Sequence, residues 1–61
     1  MTKEENIAYL TLRAEECRLP EEEVKKINQA LKKLDDKQYD KLKRISEPQF
    51  RSWCKEACSR S

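Results

Sequence analysis

Apolar residues recur at steps of three and four through most of the chain, and polar punctuation divides them into four runs. Thr2 and Glu5 open the first run at the spacing of a capping box, in which each side chain satisfies a backbone N–H at a helix start. Ile7, Leu10, Ala14 and Cys17 then fall on one stripe of a helix. Tyr9 and Leu12 lie on the opposite face, near Glu5 and Glu16. Leu19-Pro20 interrupts the pattern, because the residue before a proline is pushed out of the α region while proline suits a first helical position. A second helix is therefore expected from Pro20. Its first turn holds Glu21, Glu22 and Glu23 and its last turn Lys32 and Lys33, both groups complementing the helix dipole. Val24, Ile27, Leu31 and Leu34 form its buried stripe, which repeats the spacing of the first and suits two helices packed side by side.

Asp35-Asp36 supplies a cap for a third helix over about residues 36 to 45, with Tyr39, Leu42 and Ile45 as its apolar positions. Ser46 caps a fourth, residues 47–59. Gln49 stands three residues on, where it completes a capping box, and Ile45 and Phe50 have the spacing of a hydrophobic staple. Pro48 falls in the first turn, where its missing N–H costs little. Phe50, Trp53, Cys54 and Ala57 face inward; Gln49, Arg51, Ser52, Lys55, Glu56 and Ser59 face out. The tail Ser59-Arg60-Ser61 is expected to fray. The pattern thus predicts an all-α fold, a single domain over residues 1–61: a compact bundle of three to four short helices whose last two form an angled pair. Leu19 joins the stripe residues in the expected core.

Composition agrees. Glycine is absent, so the tight hairpins of a sheet have no turn residues to draw on, while Glu, Lys, Arg, Leu and Ala favour helix. Sixty-one residues bury a modest core and leave a thin stability margin. Charged residues make up 43% of the chain, yet the net charge is only +2, so self-repulsion does not force disorder. The charge is uneven: residues 1–36 carry seven basic and nine acidic side chains, residues 37–61 seven basic and three acidic. No apolar run follows the polar start Met1-Thr2-Lys3-Glu4-Glu5 that could serve as a signal peptide or membrane span, so a cytoplasmic location is expected, with reduced thiols.

Catalytic chemistry finds little support. There is no histidine, which removes the commonest general base and metal ligand, and no Gly-rich phosphate loop. The carboxylates lie on solvated helix faces beside lysines, which reads as a charged surface and not as a paired catalytic site. Cys54 and Cys58 share a helix face, and Cys17 could approach from the first helix, but three thiols fall short of the four ligands of a structural zinc. Cys17 and Cys54 read as small buried hydrophobes and Cys58 as a semi-exposed thiol. A disulfide between the first and fourth helices would need an oxidising setting. No catalytic residue, cofactor, metal or small-molecule substrate is expected.

The stretch Ile45-Ser46-Glu47-Pro48-Gln49-Phe50-Arg51-Ser52-Trp53 resembles the turn and recognition helix of helix-turn-helix DNA-binding proteins. Ile45 stands where that family closes the turn, Ser46 where it caps the recognition helix, and Phe50 and Trp53 where two apolar residues anchor it. The resemblance spans residues 36–58. It implies that Glu47, Arg51, Ser52 and Lys55 face the major groove, where Arg pairs with guanine. It further implies that Ser46 and the helix N-terminus hold a phosphate, and that Lys41, Lys43, Arg44 and Arg60 add salt-dependent attraction to the DNA backbone. The sequence departs from the family at two places: Asp40 replaces a small residue in the first helix, and Arg44 a glycine in the turn.

A second function class competes with DNA binding. Tyr9 and Leu12, opposite the core stripe, form a plausible anchor for another protein or a second copy of this chain. The pattern favours a non-enzymatic binding or regulatory protein acting through protein contact, by Tyr9 and Leu12 or by the basic face of the fourth helix, with helix-turn-helix-like DNA binding as the alternative and no membrane role.

Overall fold

The computed structural model describes residues 2–60, which form four helices: α1 (Lys3–Glu16), α2 (Glu21–Leu31), α3 (Asp36–Arg44) and α4 (Glu47–Arg60). The N-termini of α1, α3 and α4 are closed by side chains three residues apart. Thr2 Oγ1 accepts from the Glu5 N–H at 3.2 Å while Glu5 Oε1 accepts from the Thr2 N–H at 3.1 Å, closing the expected box. A second full box, whose Gln38 partner the aspartate pair alone did not announce, joins Asp35 and Gln38 at 2.9 and 3.2 Å. At α4 the Gln49 side chain accepts from the Ser46 N–H at 3.4 Å.

Three boundaries differ from expectation. Pro20 has ψ 149, an extended value, so it flanks α2 and the helix proper starts at Glu21. At the other end α2 stops at Leu31, and Lys32 and Lys33 lie beyond it. There the chain tightens to i→i−3 bonds, Lys33 to Ala30 and Leu34 to Leu31, both at 3.1 Å. The Leu31 carbonyl also accepts from the buried Tyr39 hydroxyl at 2.6 Å, which fixes α2's end against α3. At the C-terminus Ser59 and Arg60 continue α4 instead of fraying, with Ser59 Oγ donating to the Lys55 carbonyl at 3.0 Å; Ser61 lies outside the described residues.

α1 and α2 pack together, α3 lies against α1 and α4 against α2. Between them sit Leu10, Ala14, Cys17, Ile27, Leu31, Tyr39, Leu42, Phe50 and Cys54, all buried. The stripe expectations hold for these nine. Ile7, Leu19, Leu34, Ile45 and Trp53, expected in the core, are only partly buried and pack on its margin; Val24 and Ala57 are half-buried as well. Helices of nine to fourteen residues are marginal alone in water, so this shared interior holds them. The radius of gyration, 10.3 Å, matches the roughly 10.5 Å of a fully collapsed chain of this length, which leaves no room for a projecting element.

Two polar residues reach the interior without a sequence signal strong enough to place them. Asn6 is buried on the α1 stripe, four residues before Leu10, and its Oδ1 has no hydrogen-bond partner. Arg13 reaches from α1 to the end of α3, where its guanidinium donates to the Leu42 carbonyl and, at 2.6 Å, to the Ile45 carbonyl. The same guanidinium stands 4.6 Å from the centre of the Phe50 ring. One side chain thus ties α1, α3 and α4 together.

Candidate functional site

α3 and α4 are joined by Ile45 and Ser46 alone. Ile45 is extended, with φ −74 and ψ 155, and Arg44 is still helical. Arg18, past the end of α1, is the described residue with positive φ, at 60. The α3–α4 connection therefore turns without the left-handed residue for which a glycine would be chosen. Asp40 is exposed, so its charge is not taken into the interior.

From this turn α3 and α4 diverge, and a groove of about 410 Å³ opens between them, lined among others by Leu42, Ile45 and Trp53. A second depression of about 420 Å³ continues it between α2 and α4. Leu34, Gln38, Trp53 and Glu56 line both. The spacing of Trp53 predicts a core residue; it sits instead at the boundary, its ring 6.1 Å from that of buried Phe50 and its outer part in the groove wall. Helical spacing says which side of α4 faces the bundle, but the gap left by α3 decides how much of that side is covered.

Ser46, Glu47, Arg51, Ser52, Lys55, Lys41, Arg44 and Arg60 are exposed and Lys43 is half-buried. They do not all line one depression. Lys41 and Ser52 line the α3–α4 groove, and Lys41 and Arg44 also border a depression at the turn that includes Asp40. Arg60 lines the continuation toward α2. Glu47 faces elsewhere, beside Arg13, Glu16 and Cys17, and its Oε1 lies 4.0 Å from the Cys17 thiol. Arg51 and Lys55 stand one turn apart on exposed positions of α4.

On α1, Tyr9 and Leu12 are 48% and 55% exposed, and among the described residues they are the large hydrophobic side chains left open to solvent. Every other large apolar residue among those described is at least partly packed, so this pair is an exception that the fold itself does not require.

The fold favours the protonated form of Cys54 and Cys58. Burial pushes Cys54 up to about 12, with smaller contributions from nearby Cys17 and Cys58. Burial also raises Cys58, with a further push from Glu23, whose backbone carbonyl lies 3.7 Å from the Cys58 sulfur. A thiol held protonated is a poor nucleophile. Among the described residues no group of three or more Cys, Asp or Glu side chains is arranged to hold a metal ion, and no helix is long and apolar enough to cross a membrane.

No protein-family model matches the chain, and no curated protein or solved structure is similar to it. Its surfaces must therefore be read on their own chemistry.

Proposed function

We propose that this chain is a non-enzymatic binding protein that docks on another protein, or on a second copy of itself, through the Tyr9–Leu12 edge of α1. The observation that carries the proposal is the exposure of these two side chains, when every other large apolar side chain among the described residues is at least partly packed. They stand three residues apart, so they share one ridge of the helix. A tyrosine at an interface contributes apolar area with little loss of rotamer freedom and keeps a hydroxyl for a polar rim. The test compares the partners retained by wild type and by Tyr9→Ala/Leu12→Ala, with sedimentation analysis of each protein alone. The double variant should lose a partner or its self-association while keeping its helical spectrum. Identical partners and identical sedimentation would remove the case for this edge.

A second reading, sequence-reading of duplex DNA through α4, is supported by the exposure of Arg51 and Lys55 one turn apart, with Lys41 and Arg44 exposed on neighbouring α3. Binding of this kind weakens steeply with salt, and Arg51→Ala with Lys55→Ala should abolish it. Absence of binding at low salt eliminates it.

A further inference from the structure

The trough around Trp53 is formed by α2, α3 and α4 and takes no residue from α1, so it is a surface apart from the Tyr9–Leu12 edge. Its apolar lining is Leu34, Leu42, Ile45 and Trp53, with Ala30 and Ala57 toward α2, interspersed with the amides of Gln29, Gln38 and Gln49. Its rim carries Lys26, Lys33, Lys41 and Arg60 against a single carboxylate, Glu56, a local balance of +3 on a chain whose total is +2. The four cations stand on both sides of the trough: Lys41 on α3, Arg60 on α4, Lys26 on α2 and Lys33 just past its end.

We propose that this trough is a docking site for an acidic amphipathic helix of a partner protein. Three features select that occupant. An open apolar trough with a tryptophan at its centre suits the row of side chains that a helix presents at i, i+3, i+4 and i+7, and a partly buried Trp is the residue type that most often dominates such contacts. Cations on both banks favour a partner whose flanks are acidic and repel one whose flanks are basic. The lining offers one aromatic ring where a nucleic-acid track would present several.

The probe is a synthetic amphipathic peptide of about 18 residues (five helical turns) with Leu on one face and Glu on the rest, without aromatic residues. Its control has every Glu replaced by Lys. Trp53 is the lone tryptophan, so its emission reports occupancy of the trough directly. The acidic peptide should shift that emission saturably with micromolar affinity, and the basic control should bind at least about 10-fold more weakly. Lys33 and Lys41 are exposed, so charge reversal leaves the core intact. Lys33→Glu/Lys41→Glu should weaken the acidic peptide about 10-fold or more, whereas Lys3→Glu, away from the trough, should leave it unchanged. No saturable change up to about 1 mM peptide, equal binding of the two peptides, or indifference to Lys33→Glu/Lys41→Glu overturns the proposal. So does a single-stranded oligonucleotide that shifts Trp53 when the acidic peptide does not, which would assign the trough to nucleic acid. None of these results bears on Tyr9 and Leu12, whose test reads different residues.

Discussion

Arg13→Met isolates the polar junction on which the second half of the fold depends. Methionine keeps an unbranched stem of similar reach and removes the guanidinium, so the Leu42 and Ile45 carbonyls lose their donor at the end of α3. Hydrogen bonds from a charged donor contribute about 1.5–3 kcal/mol each. Arg13 is half-buried, so the lower end applies, giving about 3 kcal/mol for the two bonds together. The loss of its contact with the Phe50 ring adds roughly 0.5–1 kcal/mol. A chain of this length is stable by about 3–9 kcal/mol in total, so the substitution should remove a third or more of what holds the protein folded. Urea denaturation followed by far-ultraviolet circular dichroism measures this. With a slope of about 1 kcal/mol per molar, the midpoint should fall by about 3.5–4 M or the variant should be unfolded from the outset. Arg13→Lys should recover about half of the loss, since one ammonium can serve one carbonyl in this geometry but not both. A loss below about 1 kcal/mol for Arg13→Met would show that water satisfies these carbonyls as well as the guanidinium does, and the account of the junction would be wrong.

Three further outcomes follow from the same geometry. Arg18, exposed and at φ 60, occupies the left-handed region at a cost of about 1–2 kcal/mol, so Arg18→Gly should stabilise the protein by about 0.5–1 kcal/mol after glycine's greater unfolded freedom is deducted; a lower thermal midpoint would contradict this. Tyr39→Phe should cost about 1 kcal/mol in urea denaturation by removing the 2.6 Å bond to the Leu31 carbonyl, and no change would show that bond to be inert. Stability should fall in alkali. The protonated forms of Cys54, Cys58 and Tyr39 are favoured by the fold, so their contribution is complete below the ordinary values of 9.0 for the thiols and 10.0 for the phenol and is lost as pH rises beyond them. Cys54, buried and pushed up to about 12, removes up to about 1.4 kcal/mol per pH unit over that window, and Cys54→Ala should flatten the decline; a stability unchanged between about pH 9 and 11 would refute it.

Where α1, α3 and α4 begin was legible in the sequence, whereas α2 starts one residue past the expected Pro20 and the far ends were not legible, for a reason of range. Thr2–Glu5, Asp35–Gln38 and Ser46–Gln49 are contacts over three residues, so their geometry follows from local spacing alone. The far ends are closed by side chains from elsewhere: Tyr39 reaches back eight residues to α2, and Arg13 reaches forward 29 and 32 residues to α3. Nothing in the spacing of Arg13 separates it from the solvated cations around it. The absence of glycine sharpens this dependence. Without a residue that adopts the left-handed cap freely, α1 ends on a strained arginine, and α2 and α3 borrow donors from other helices.

The same limit governs the candidate surfaces. The exposure of Tyr9 and Leu12 follows from their position opposite a four-residue stripe, and a stripe is a local property. The trough is not local. Leu34, Ile45 and Trp53 each sit at a proper core position, and each is left partly open because α3 packs on α1 and α4 on α2, which separates the two helices on either side of them. Periodicity assigns a residue to a side of its helix; whether that side meets another helix or a gap is settled by how the elements pair. A tryptophan that closes the core from one side and faces a cation-rimmed gap on the other has its burial divided between folding and docking. Substituting it would confound the two, so the rim lysines, which contribute little to the fold, are the positions at which the docking claim can be tested by itself.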